Sequence, residues 1–201
     1  MQQHDNLMSI FQERHAFLDG HFLLSSGYHS PHYFQCALLF QDPQLGAQLG
    51  SLVADLFKDK KISVVIGPAM GGILLAYEVA RALKVRALFA EREISAQDGE
   101  KEKMILRRGL QLSPGENVLL VEDVLTTGGS IKEVLAIVKD ACAVPVGIAA
   151  LVDRSGGSLE FPCHYKTLLQ IPVVRYTKEE CPLCKEAIPI VKPGSRPIIN
   201  K

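Results

Sequence analysis

The chain has 201 residues, 47% of them hydrophobic, enough for one globular domain whose core stands without staples. Its 22 Lys and Arg balance 22 Asp and Glu, which leaves no electrostatic footprint for nucleic acid or an anionic membrane surface and points to small-molecule chemistry. Met1-Gln2-Gln3-His4 opens no charged-then-apolar leader and no apolar run is long enough to span a bilayer, so a cytoplasmic protein is expected.

Met8 to Leu18 patterns as an amphipathic helix, with Ile10, Phe11, Ala16 and Phe17 among polar neighbours, and it stops at Asp19-Gly20. From Phe22 to Phe34 an apolar and aromatic segment is broken by Gly27 and Pro31 and reads as a hairpin. A helix over 44–57 places Leu45, Leu49, Leu52, Val53 and Leu56 on one side. Ile62 to Ile66 is a strand, Gly67-Pro-Ala-Met-Gly-Gly72 a glycine turn, and Ile73, Leu74, Ala76, Tyr77 and Ala80 belong to the following helix. Arg86 to Ala90 forms a third strand. From Glu91 to Gly109 the chain turns polar and is long for a connection, so a β-hairpin or a mobile loop with a function is expected there.

The most informative stretch is Asn117 to Lys132. Val118 to Val121 is a short apolar run suited to a strand buried on both faces of a parallel sheet, with Glu122 and Asp123 expected at its end. Thr126-Thr127-Gly128-Gly129-Ser130 follows, and then Ile131, Val134, Leu135 and Val138 at helical spacing. Glycines in such a turn let backbone N–H groups approach an anion, and the hydroxyls add donors; together they make a seat for a phosphate. The two carboxylates are acceptors only and suit ribose hydroxyls or the water around a magnesium ion. An ordinary capped strand-to-helix loop explains the pattern less well, because two adjacent acids followed by five small polar residues is an uncommon combination. Val144 to Val152 is a further buried strand running into Asp153-Arg154-Ser-Gly-Gly157, Tyr165 to Leu169 is the last strand, and the remainder is proline-rich from Pro172.

Val-Glu-Asp-Val-Leu-Thr-Thr-Gly-Gly-Ser resembles the phosphoribosyl pyrophosphate (PRPP) motif of type I phosphoribosyltransferases, in a form closest to the orotate family. The resemblance implies an α/β fold with a mostly parallel sheet flanked by helices, one domain over 1–201 with a small hood over about 1–40, and a C-terminal extension over about 172–201. It implies PRPP binding by Glu122, Asp123, Val124, Leu125, Thr126, Thr127, Gly128, Gly129 and Ser130, and orotate binding by Thr126, Arg154, Ser26 and Phe34. Phe22 to Phe34 resembles the family's hood segment, Gly67 to Gly72 its pyrophosphate loop, and Asp153 to Gly157 its orotate-binding turn. Asp123, Glu122 and Arg92 are the expected catalytic residues. Magnesium is the expected cofactor, held mostly through PRPP with no direct protein ligand, and a homodimer is expected in which the loop over about 91–109 reaches the neighbouring subunit. Orotate and PRPP would give orotidine 5'-monophosphate and pyrophosphate.

The chain departs from the family pattern where a lysine is common, at Ser25 and at Gly71, and no histidine lies between Glu91 and Gly109, so the catalytic cation of that loop, among Lys101, Lys103, Arg107 and Arg108, is not assigned. A purine-specific phosphoribosyltransferase is the nearest rival reading; the hood and Arg154 favour orotate. A PRPP-sensing regulator is a rival of another class, but residues 1–60 carry neither helix-turn-helix patterning nor positive charge.

The five cysteines, Cys36, Cys142, Cys163, Cys181 and Cys184, are an odd, scattered set that argues for a reducing compartment. Cys181-Pro-Leu-Cys184 is the only paired spacing. A structural zinc site needs two more ligands, which Cys163 and His164 could supply only if the fold brought them near; reduced cysteines that pack or stay exposed are the favoured reading. The six histidines, His4, His15, His21, His29, His32 and His164, lack metal-ligand spacing and read as ordinary surface or hood residues.

Overall fold

The computed structural model describes residues 2–24, 26–94, 102–172 and 174–193. Its centre is a six-stranded sheet in the order β5-β4-β3-β6-β7-β8, with β3 (Val64–Pro68), β4 (Arg86–Ile94), β6 (Asn117–Leu125), β7 (Val144–Asp153) and β8 (Tyr165–Gln170) parallel and β5 (Glu102–Ile105) antiparallel at the edge. Buried β-branched and aliphatic side chains on both faces fit a parallel sheet covered by helices. One face packs on α2 (Pro43–Asp55) and α3 (Gly71–Leu83) through Leu49, Val53, Leu75, Val79, Leu119 and Val121. The other packs on α4 (Gly129–Asp140) through Ile66, Leu120, Ile131, Val134 and Ile148. The helices α2 and α3 approach closely because Gly50 has no side chain: a Cβ there would stand 2.7 Å from the Glu78 carbonyl carbon.

The N-terminal helix α1 covers Gln2–Glu13, earlier than the expected 8–18. Ala16 donates its N–H to the Phe11 carbonyl and His15 has a φ of 52°, which ends the helix and frees Phe17 to start a strand. That strand, β1 (Phe17–Leu23), pairs antiparallel with β2 (His29–Phe34) to form a two-stranded hood. The expected hairpin over 22–34 is therefore the tip of a longer one. The segment from Glu91 to Gly109 contains the β4–β5 hairpin, with Glu91 opposite Ile105 and Ile94 opposite Glu102; Lys101 and the hairpin's connection lie outside the described residues.

The C-terminal extension lies on the hood. Tyr176 and His29 exchange backbone hydrogen bonds of 2.9 Å, Leu23 donates to the Val191 carbonyl at 2.9 Å, and Val191 donates to the His21 carbonyl at 2.8 Å. Between these two bridges stands the short helix α5 (Pro182–Lys185). Among the described residues no helix is long and apolar enough to cross a membrane.

Candidate active site

Glu122 and Asp123 lie near the end of β6, as expected, although the strand runs two residues past them to Leu125. The parallel pairing of β6 with β7 continues past them, so the ladder holds their backbone while their side chains project at the carboxyl edge of the sheet. The Asp123 carboxylate accepts from the Val124 N–H at 2.9 Å. Burial raises the Asp123 pKa, and burial with the neighbouring Asp123 charge raises that of Glu122 well above the usual carboxylate range, with Arg92 opposing. No ion pair with either carboxylate is present among the described residues.

The starts of α3 and α4, beside this acidic pair, differ from that of α2. At α2, the Asp42 side chain accepts from the N–H groups of Gln44 and Leu45, capping that helix in the ordinary way. Neither α3 nor α4 has a side-chain cap. Gly128 precedes α4 with a φ of 71°, a left-handed conformation that glycine adopts without strain, and the N–H of the next residue, Gly129, donates to Thr127 Oγ1 at 3.4 Å; both glycines belong to the turn. They line a cavity of about 210 Å³ with Arg92, Glu122, Thr126, Thr127, Ser130 and Glu133. At the start of α3 the Gly71 backbone abuts the Asp123 carboxylate so closely that an added Cβ would collide with it. The glycine turn and the acidic pair are thus one site, and a side chain at position 71 would require the Asp123 carboxylate to shift.

A second cavity of about 380 Å³ adjoins the first and shares Val124, Thr126 and Ser130 with it. Tyr33, Phe34 and Ser26 from the hood and Arg154 from the end of β7 line it. Arg154 is 5% exposed and has no ion-pair partner among the described residues. Its Nη2 donates to the His32 carbonyl at 3.0 Å and to Ser30 Oγ at 3.4 Å, its guanidinium lies 5.3 Å from the Phe34 ring centre, and its Nε makes no hydrogen bond. Burial lowers its pKa from the usual arginine value. A buried, stacked guanidinium with an unused donor is a seat for a planar carboxylate.

The structure thus brings together Ser26, Phe34, Arg92, Glu122, Asp123, Thr126, Thr127, Gly128, Gly129, Ser130 and Arg154. Leu125 differs: its side chain is in the core, and its carbonyl accepts from the Arg154 N–H at 2.8 Å, which sets the arginine's position. Arg92 is held by the Glu133 carboxylate, its Nη1 and Nη2 donating at 3.2 and 2.9 Å. Arg107 and Arg108 pair with Glu91, and Ser25 lies outside the described residues. Lys192 and Pro193 also line the larger cavity, which the sequence reading missed. They come from a tail whose docking has no local signal.

Residues 38–179 match the phosphoribosyl transferase domain family. The chain belongs to the phosphoribosyltransferases, as its sheet, its uncapped helix starts and its acidic pair had defined it. It is 50% identical over 192 residues to an orotate phosphoribosyltransferase of Caldanaerobacter subterraneus subsp. tengcongensis, covering 96% of this chain and 97% of that one. It is 47% identical over 190 residues to an orotate phosphoribosyltransferase of Thermotoga maritima, covering 94% and 98%. Within the phosphoribosyltransferases, then, it belongs with the orotate phosphoribosyltransferases. Among solved structures, orotate phosphoribosyltransferase from Aeropyrum pernix superposes with a TM-score of 0.67 at 26% identity, covering 82% of this chain and 93% of that one.

Proposed function

We propose that the two adjoining cavities transfer the 5-phosphoribosyl group of PRPP to orotate, giving orotidine 5'-monophosphate and pyrophosphate in pyrimidine biosynthesis. One observation carries this reading: a buried arginine free of carboxylate partners faces one cavity, an uncapped glycine-led helix start faces the other, and Glu122 and Asp123 sit at their junction. The near-full-length identity to curated orotate enzymes supports it.

Breaking the bond from ribose C1 to pyrophosphate leaves positive charge on the sugar ring and negative charge on the leaving group, so catalysis is mainly placement and charge stabilisation. The N–H groups and hydroxyls from Thr126 to Ser130 hold the 5'-phosphate. Glu122 and Asp123 accept from the ribose hydroxyls and oppose the developing cation, and the lack of a basic partner leaves them free for that task. Arg154 and Phe34 orient the orotate ring with its nitrogen toward C1. Arg92, at the mouth of the phosphate cavity, can exchange Glu133 for pyrophosphate oxygens. The hard oxygen donors of Glu122 and Asp123 fit magnesium through its waters, and the ion, bound with PRPP, supplies positive charge to the pyrophosphate oxygens. The uncombined cysteines support a cytoplasmic setting.

Offered orotate, uracil, hypoxanthine, guanine, xanthine and adenine separately with PRPP and magnesium, the purified protein is expected to release pyrophosphate with orotate alone. Turnover with a purine base instead would make the hood reading wrong, and PRPP binding without any turnover would favour a regulator.

The working form we propose is a homodimer in which the segment over about 91–109 of one copy reaches its partner's PRPP. Met70, Leu74 and Tyr77 support this: they are 73%, 50% and 60% exposed, and Leu74 and Tyr77 share a face of α3 beside the pyrophosphate turn. A two-fold axis would bring this stripe against itself. Tyr77→Glu is expected to halve the mass measured by light scattering and to reduce turnover; an unchanged dimer would place the interface elsewhere.

A further inference from the structure

Four ligand-type side chains that the reaction does not use converge under the hood. His21, His29, Cys181 and Cys184 place their ligand atoms within 4.8 Å of one another, and the first three residues are buried. His21 Nε2 stands 2.8 Å from His29 Nδ1, 3.6 Å from the Cys181 sulfur and 3.7 Å from the Cys184 sulfur, and the Cys184 sulfur is 3.3 Å from His29 Nδ1. Ligand atoms at the corners of a zinc tetrahedron are separated by about 3.3 to 3.8 Å, given metal bonds of about 2.0–2.1 Å to nitrogen and 2.3 Å to sulfur. Three of the four distances lie in or next to that range, and the histidine pair has only to open by about half an ångström.

The placement of each ligand has a local cause. In β1 the register slips between Asp19 and Phe22, so His21 and Phe22 are both buried although they are consecutive, and the bulge turns His21 toward the tail. His21 Nδ1 lies 2.7 Å from the Ile188 carbonyl, an acceptor only, so it carries the proton and leaves the Nε2 lone pair facing the cluster. His29 opens β2 opposite Leu23. Cys181 precedes α5 and Cys184 lies within it, with Pro182 starting the helix, so the two sulfurs fall on one side of a single turn. His21 and His29 stand in the hood, as expected, but buried within it and not on its surface, and Cys181 is buried beside them. Cys163 and His164 are not part of this group; the missing ligands come from the far end of the chain.

We infer that His21, His29, Cys181 and Cys184 bind one Zn²⁺, which clamps the C-terminal extension to the hood and so builds the wall of the base cavity formed by Lys192 and Pro193. Two sulfurs and two imidazole nitrogens in a closed buried set match a structural zinc site, with no open position for catalysis. Binding releases two thiol protons to solvent, and two thiolates against one divalent cation make a neutral centre, which suits burial. The clamp sits between the two backbone bridges that join tail to hood, His29 with Tyr176 and Phe22 with Val191. Lys192 follows the second bridge directly into the cavity.

The test uses untagged full-length protein and elemental analysis. About one zinc per chain is expected, falling to nearly none in Cys181→Ser, Cys184→Ser and His29→Ala, and staying unchanged in Cys142→Ser and Cys163→Ser. Reduced protein stripped with a chelator and refilled with Co²⁺ should show the intense visible bands of a tetrahedral thiolate site, which guards against variants that merely fail to fold. Stripping should also lower Tm, speed proteolysis of the tail, and raise KM for orotate several-fold with KM for PRPP little changed. Wild-type protein that neither carries zinc nor takes up Co²⁺ would overturn the site, as would full metal content in the Cys181 and Cys184 variants. An unchanged orotate KM on stripping would overturn the link to the base cavity. None of the metal readouts depends on which base the protein uses.

Discussion

Asp123→Asn should lower kcat by about 10²- to 10³-fold, the usual effect of removing one preorganised electrostatic group, while raising the thermal stability of the unliganded protein. The two effects have the same origin. Burial without a basic partner raises the Asp123 pKa, so the folded state holds the proton more tightly than the unfolded chain does. A group of this kind adds stability that is complete below its unfolded pKa, about 4, and is lost as pH rises through the folded value. Glu122, raised well above its usual range by burial and by Asp123, behaves likewise. The unliganded wild-type protein should therefore lose Tm from acid toward neutral pH because of this pair, and Asp123→Asn and Glu122→Gln should each flatten that slope. In the Asp123→Asn variant the Val124 N–H can bond the amide oxygen of the new side chain as it does the carboxylate, so the strand end keeps its geometry. Thermal melts across pH beside steady-state kinetics check both halves. A variant that is inactive and also less stable at neutral pH would show the pair to be structural.

The second large effect is expected at Arg154. Arg154→Ala should reduce kcat/KM for orotate by roughly 10²-fold, about 3 kcal/mol, the upper end for hydrogen bonds to a charged group, with KM for PRPP nearly unchanged. Arg154→Lys should recover little of it, because a point charge lacks the planar fork and the stacking on Phe34. Arg154→Met keeps the stem packed and removes a buried charge that has no carboxylate partner, so its Tm should stay within a few degrees of wild type. Equal losses for PRPP and orotate would move Arg154 out of the base cavity.

Both predictions rest on residues that the sequence marked, although their surroundings were not legible there. Glu122 and Asp123 were recognisable because acids followed by a glycine-hydroxyl turn are an uncommon juxtaposition within a few residues. That they are inside β6 and unpaired depends on the length of the β7 ladder and on the Gly71 backbone crowding Asp123 from a different strand-helix unit. Arg154 stood out by its turn, while its burial is decided by Ser30, His32 and Phe34, more than a hundred residues earlier. At the amino end, periodicity carried the helix too far, because nothing local shows that Phe17 pairs with Phe34.

By itself, then, the sequence determined what is local in chain and chemistry: strand, turn and helix around each glycine-rich loop, the phosphate seat, and the acidic pair. Apolar spacing and turn residues act over a few positions, and they leave a readable pattern. Only the tertiary structure decided which groups meet across the chain. Cys181 and Cys184 had no visible partners because His21 and His29 reach them through a bulge, a hairpin and two backbone bridges. Lys192 entered the base cavity by the same route. Such contacts depend on how the extension closes over the hood, and burial and backbone pairing summed over the whole fold set that closure.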